Sequence, residues 1–288
     1  MQRPLAILIA AILMLCLTSA NAATVDKTFQ YNDTVRSYTI YIPDNAAGNL
    51  PLIIHTHGYG SKTRQRADLN DAAGRHGYAV CYPDGTPDTR GRLGWNVGYP
   101  SQHNMTVDEA DFLRALTDDV AGKFPVDKDS VFLCGWSNGG DLCYQIAYTD
   151  PGMFRAYASV GGLTFTSMYL ANRLSDPVPF LEIHGTADKT SMWGGDPENT
   201  GGWGAYLPVP MAVAAIACNN RCTAYYADRM SECVKSDRTV TRHLYTGAGP
   251  DVILIGINGG KHSWGTDDID TGEIICRFFD RYRQPQRP

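Results

Sequence analysis

Long apolar runs are scarce in this chain of 288 residues. One is present, Leu5 to Leu17, and its 13 residues fall short of the roughly 20 needed to span a bilayer. It follows Arg3 and gives way to small residues from Thr18 to Ala23, a pattern that reads as a signal peptide cut near Ala22 or Ala23. Leu15 is too bulky to precede a lipoprotein Cys16. The expectation is a secreted or periplasmic protein: residues 1–23 as signal peptide, 24–288 as the mature chain, and no membrane partner after cleavage. A basic run is lacking too. The 25 Lys and Arg face 30 Asp and Glu, and loss of Arg3 makes the balance one unit more acidic, which argues against a nucleic-acid partner. No internal repeat, low-complexity tract or Pro/Ser-rich linker divides the remainder, so its length predicts one large domain.

Cysteine is sparse, and its count past the signal segment is odd: Cys81, Cys134, Cys143, Cys218, Cys222, Cys233 and Cys276. Cys81 and Cys134 fall in apolar strand-like runs and Cys143 in a helical pattern, so they read as small core residues. Cys218, Cys222 and Cys233 crowd a polar region. For an exported protein a disulfide from Cys233 to Cys222 or to Cys218 is preferred here over zinc held by three cysteines and His243. No metal or organic cofactor is expected.

What the sequence does contain is an alternation of short β-rich runs with helical patterns. "RSYTIYIP" (36–43) alternates as an exposed edge strand should. "LPLIIHTHG", "YAVCYPDG", "SVFLCG", "AYASVGG", "PFLEIHG" and "VILIGINGG" are apolar runs ending in turn residues, as for strands buried on both faces. Thr106-Val107-Asp108-Glu109 reads as a capping box opening a helix up to Phe124-Pro125; a second helix follows Ser137, and a last one spans about Thr271 to Tyr282. The order predicts an α/β fold, a mainly parallel central sheet with helices on both faces, and a site at the carboxyl ends of its strands.

"SVFLC", then Gly135-Trp136-Ser137-Asn138-Gly139, then "GGDLCYQIAY" gives strand, sharp turn and helix, the setting of a G-x-S-x-G nucleophile elbow. Ser137 needs a general base, which in this arrangement follows the acid in sequence. His55, His57, His76 and His103 precede Ser137, and His184 lies within the strand before the acid. His243 occupies a polar position on an alternating strand. His262, in the glycine-rich "INGGKHSWG" after the last apolar strand, is therefore the candidate base. Asp188 is the first carboxylate after "PFLEIHG" and the candidate acid; Glu182 lies inside that strand, and Asp196 and Glu198 lie further along. The oxyanion donors are expected to be the backbone N–H groups of Asn138 and Tyr59. His55 and His57, at alternate strand positions, read as structural.

With "PLIIHTHGYG", "YPDG" followed by "GWN", "VDEADFLRALTDD", "CGWSNGGDLCYQIAY", "IHGTADKTS", "VPMAVAAIACNNRC" and "GGKHSWG", the chain resembles secreted α/β-hydrolase esterases of the polyhydroxybutyrate depolymerase and feruloyl esterase type, from about Tyr38 to Phe279. The resemblance implies an α/β-hydrolase fold and a triad of Ser137, Asp188 and His262. Two departures concern cysteines. Many relatives carry them after "GWN", where this chain reads Val97-Gly98-Tyr99-Pro100, and the one that usually pairs with the counterpart of Cys222 is replaced by "TGAGPD".

Sixteen residues separate Gly162 from Pro179, too few for a large lid, and an open cleft suits a bulky or polymeric ester. Of Trp95, Trp136, Trp193, Trp203 and Trp264, all near expected strand ends or loops, Trp95, Trp136 and Trp264 are the candidates for substrate binding. The expected activity is serine-esterase cleavage of feruloyl or acetyl groups on plant polysaccharide. The alternatives are a polyhydroxyalkanoate depolymerase and, more remotely, a peptidase or a non-catalytic carbohydrate-binding module.

Overall fold

The computed structural model describes residues 23–44, 48–61, 65–171 and 174–283; the expected signal peptide, apart from Ala23, lies outside them. In chain order the strands and helices are β1 (Ala23–Tyr31), β2 (Thr34–Ile42), β3 (Leu50–Thr56), α1 (Ala67–His76), β4 (Ala79–Pro83), the two-residue β5 (Thr86–Pro87) and β6 (Leu93–Gly94), α2 (Glu109–Lys123), β7 (Val126–Trp136), α3 (Asn138–Thr149), β8 (Tyr157–Val160), α4 (Thr166–Ala171), β9 (Phe180–Gly185), α5 (Val209–Asn219), β10 (Cys222–Arg229), β11 (Val240–Gly247), β12 (Val252–Ile257) and α6 (Thr271–Asp280).

Ten of these strands form one sheet in the order β1-β2-β4-β3-β7-β8-β9-β12-β11-β10. The six central strands, β4 to β12 in that order, pair in parallel. An antiparallel ribbon closes each edge, β1 with β2 and β10 with β11. The parallel strands are the continuous apolar runs because both of their faces are covered. β3, β4, β8, β9 and β12 are buried along their whole length. Phe112 of α2, Leu142 of α3 and Val213 of α5 pack on one face, whereas Leu69 of α1 and Phe279 of α6 pack on the other.

Three expectations are corrected. β2 is not an edge strand, since β1 pairs along its full length and takes the solvent side. The helix α2 is capped not by Thr106 but by Asp108, whose carboxylate accepts from the N–H of Asp111. Cys218, Cys222 and Cys233 all carry free thiols. Cys222 packs on the face covered by α2, α3 and α5, whereas Cys233 packs on the α1 and α6 face. The two side chains therefore pack on opposite sides of the sheet, an arrangement that a disulfide does not allow.

Candidate active site

Loops from the carboxyl ends of all six parallel strands converge on one rim of the sheet. β7 ends in the turn that carries Ser137, held at φ 56° and ψ −120°, a backbone conformation that L residues rarely adopt. The turn closes because its flanking glycines touch other backbones: a Cβ on Gly135 would sit 2.1 Å from the Gly139 oxygen, and one on Gly139 2.1 Å from that of Thr56. The strain directs the Ser137 hydroxyl outward at the start of α3.

The loop after β12 brings His262 to that hydroxyl, with Nε2 2.9 Å from Ser137 Oγ. His262 Nδ1–H donates to Asp188 Oδ2 at 2.6 Å, so Nε2 is the acceptor for the serine O–H. Asp188 follows β9 and is buried; its other oxygen accepts from the N–H groups of Thr190 (2.7 Å) and Ser191 (2.9 Å). Ser137, Asp188 and His262, 125 and 74 residues apart in the two links, thus form one hydrogen-bonded series.

Beside it runs the Gly58–Tyr59 segment after β3. The N–H of Gly85 donates to His57 Nε2 at 2.9 Å, which leaves Nδ1–H to donate to the Gly58 carbonyl at 2.8 Å. Burial keeps this imidazole neutral by lowering its pKa. Because a trans peptide points C=O and N–H in opposite directions, fixing the Gly58 carbonyl fixes the Tyr59 N–H. The N–H of Asn138 belongs to the first turn of α3, where no intrahelical acceptor exists. The Asn138 side chain meanwhile clamps Trp95, accepting from its N–H (2.7 Å) and donating to its carbonyl (3.1 Å).

A cavity of about 220 Å³ opens over Ser137 and His262, walled by Tyr59, Tyr99, Trp136, Leu163 and Trp203, with Arg92 at its side. Tyr59, Tyr99 and Trp203 form a triangle with ring centroids 5.1 to 5.8 Å apart. Both tyrosine hydroxyls are turned away into carboxylates, Tyr59 to Asp88 and Tyr99 to Asp141, each at 2.5 Å. The wall of the cavity is thereby ring surface. Trp203 is carried by the loop between β9 and α5, which Asp196 organises by accepting from the Thr200 and Gly201 N–H groups and the Thr200 hydroxyl. These contacts, Gly201 foremost, hold the Asp196 carboxyl below the usual carboxylate range.

Of the tryptophans expected at the substrate, only Trp136 lines this cavity. Trp95 is fully buried, stacked near Phe112 and hydrogen-bonded through its indole to the His57 carbonyl. Trp264 is buried against His55, its indole donating to Asp68 at 2.8 Å. Both are claimed by the core because their N–H groups find partners there. Trp203, Tyr99 and Leu163 take their place. Trp203 stood out as one of five tryptophans, but nothing local to Tyr99 or Leu163 marks them.

A mainly parallel sheet between two helical layers, with Ser137 on a strained turn after a central strand, defines an α/β-hydrolase. Solved structures agree on the fold: S-formylglutathione hydrolase from Agrobacterium tumefaciens superposes with a TM-score of 0.62 at 14% identity, covering 92% of this chain and 97% of that one. Residues 36–178 match the family model described as esterase PHB depolymerase. "Putative esterase NocK" of Nocardia uniformis subsp. tsuyamanensis is 29% identical over 85% of this chain and 75% of its own length. Feruloyl esterase D of Neurospora crassa is 29% identical over 59% of each chain, so this chain spans less than two thirds of that relative. The chain belongs to the polyhydroxybutyrate depolymerase and feruloyl esterase family and is a carboxylic ester hydrolase.

Proposed function

We propose that the protein is a serine esterase in which Ser137 is the nucleophile, His262 the general base and Asp188 the acid that orients it, with the N–H groups of Tyr59 and Asn138 as oxyanion hole. The observation that carries this reading is the unbroken series from Asp188 Oδ2 through His262 to Ser137 Oγ at 2.6 and 2.9 Å, set beneath an aromatic-walled cavity. Ser137 Oγ attacks the ester carbonyl as its proton passes to His262 Nε2. The tetrahedral oxyanion is held by the two N–H groups. Collapse expels the alcohol, which takes the proton from His262, and the acyl group stays on Ser137. Water activated by the same imidazole then releases the acid.

The acyl group that suits the cavity is a planar aromatic one, since Tyr59, Tyr99 and Trp203 offer ring faces while their polar ends are tied elsewhere. We assign the substrate as a hydroxycinnamoyl ester of the feruloyl kind on plant polysaccharide, and read the protein as a single catalytic domain, residues 24–288, exported from the cell. The support for export is the Arg3 and Leu5 to Leu17 leader pattern. Rates for wild type and Ser137→Ala are to be compared on p-nitrophenyl acetate, methyl ferulate, feruloylated arabinoxylan and polyhydroxybutyrate film. Ser137→Ala is expected to lose up to about 10⁶-fold. Retention of activity refutes the nucleophile. Preference for the polyester film over ferulate reassigns the substrate to polyhydroxyalkanoate, the polymer after which the family model is named.

A further inference from the structure

A second imidazole lies behind Asp188. Glu182 and His184 stand two apart on β9, so their side chains leave the same face of the sheet, and both are fully buried. His184 Nδ1 is 2.8 Å from Glu182 Oε1, and Nε2 is 2.7 Å from the carbonyl oxygen of Ser191 and 3.6 Å from Asp188 Oδ2. A carbonyl only accepts, so Nε2 carries hydrogen. Ser191 is also the residue whose N–H donates to Asp188 Oδ1. One ring therefore holds the turn that presents Asp188 and faces the carboxylate itself. The carboxyl groups of Asp141, Glu182 and Asp188 converge here, and His184 is the basic group that acts on all three.

We infer that Glu182 and His184 form a buried carboxylate–imidazolium pair that positions Asp188, extending the proposed series to Glu182, His184, Asp188, His262 and Ser137; this rests on the triad reading above. Burial opposes a charge on His184, but Glu182, the Ser191 carbonyl and Asp188 outweigh it and raise its pKa. Burial also draws the Glu182 carboxyl upward, against His184 and the hydroxyls of Ser159 and Tyr144. The shared proton is assigned to the ring because imidazole is by nature more basic than a carboxylate. The other titratable groups facing the pair are Asp141, Cys143 and Tyr144 from α3. The positive end of the pair is turned toward Asp188, so it moderates the pull of that carboxylate on the proton of His262.

The pair is tested first without mutation, by the ring ¹⁵N signals of His184 in the full-length labelled protein at pH 8. Protons on both nitrogens are expected; a single proton overturns the assignment. Glu182→Gln keeps a hydrogen-bonding oxygen but removes the charge that holds the second proton. Its kcat/KM on p-nitrophenyl acetate is expected to fall roughly 10- to 100-fold, as for other groups that act through a neighbour, with the acid limb of the pH profile moved to higher pH. A merely structural role lowers kcat without moving that limb, and a profile superimposable on wild type sinks the proposal. Ser137→Ala separates the two ideas. If it abolishes activity while His184 carries one proton, the pair fails and the triad stands; if it leaves activity intact, the triad fails first.

Discussion

The indole N–H of Trp95 donates to the carbonyl oxygen of His57 at 2.9 Å, across 38 residues of sequence. Trp95 is in turn gripped by the Asn138 side chain. Asn138, one of the two residues proposed to supply the oxyanion donors, is therefore tied through one buried tryptophan to His57, two residues before the other, Tyr59. Trp95→Phe preserves the packing on Phe112 and deletes that bond. Its kcat should fall about tenfold, a fraction of the 10² to 10³ lost when a donor is removed outright, with KM within about twofold. Steady-state kinetics on methyl ferulate decide this. A raised KM at unchanged kcat would return Trp95 to the substrate.

Trp203 stands at one corner of the aromatic triangle that walls the cavity. Aromatic pairs contribute about 0.5 to 1.5 kcal/mol beyond their buried area. Trp203→Ala should accordingly lower kcat/KM for methyl ferulate about tenfold or more, and change that for p-nitrophenyl acetate less than about twofold. Equal losses on both esters would remove the aromatic acyl group from this wall.

Asp141 sits fully buried beneath Tyr99, and burial raises its pKa to about 8; burial likewise raises Glu109 to about 7. Both groups take up a proton on folding between their unfolded and folded values. Their contribution to stability is complete below the unfolded pKa and is lost as pH rises through the folded one, at up to about 1.4 kcal/mol per pH unit for each group. Melting temperature should decline from pH 5 to pH 8. Asp141→Asn, which mimics the protonated acid toward Leu163 and Tyr99, should flatten that decline. A variant curve parallel to wild type would rule Asp141 out as its source.

Cys222 and Cys233 lie against opposite faces of the sheet. Reductant should thus leave the melting temperature unchanged, whereas removal of a disulfide typically costs about 2 to 5 kcal/mol. Thiol titration of the unfolded, unreduced protein provides the count. A shortfall involving Cys218, Cys222 or Cys233 would restore the bridge expected from sequence.

The parallel core was legible because strands buried on both faces must be apolar along their length, as "LPLIIHT" and "VILIGI" are. β1 and β10 were not, since an edge strand buries little and reads as polar; β10 is largely exposed from Ala224 to Arg229. The ends of strands could be read in the same way, which is why Ser137, Asp188 and His262 were legible as loop residues. The aromatic wall could not be, because a tryptophan near a strand end has the same local sequence whether its indole finds a partner in the core, as in Trp95 and Trp264, or faces a cavity, as in Trp136 and Trp203.

By itself the sequence determined the alternation of buried strands and helices, and with it the order in which serine, acid and histidine leave the sheet. Those features are written locally, in apolar runs and glycine turns. The tertiary structure decided what depends on distance between remote segments: which rings wall the cavity, which face of the sheet each cysteine meets, and that the two side chains of one buried strand, Glu182 and His184, come to rest behind Asp188. Contact among groups so far apart in the chain is fixed by the packing of the whole sheet, and no local pattern encodes it.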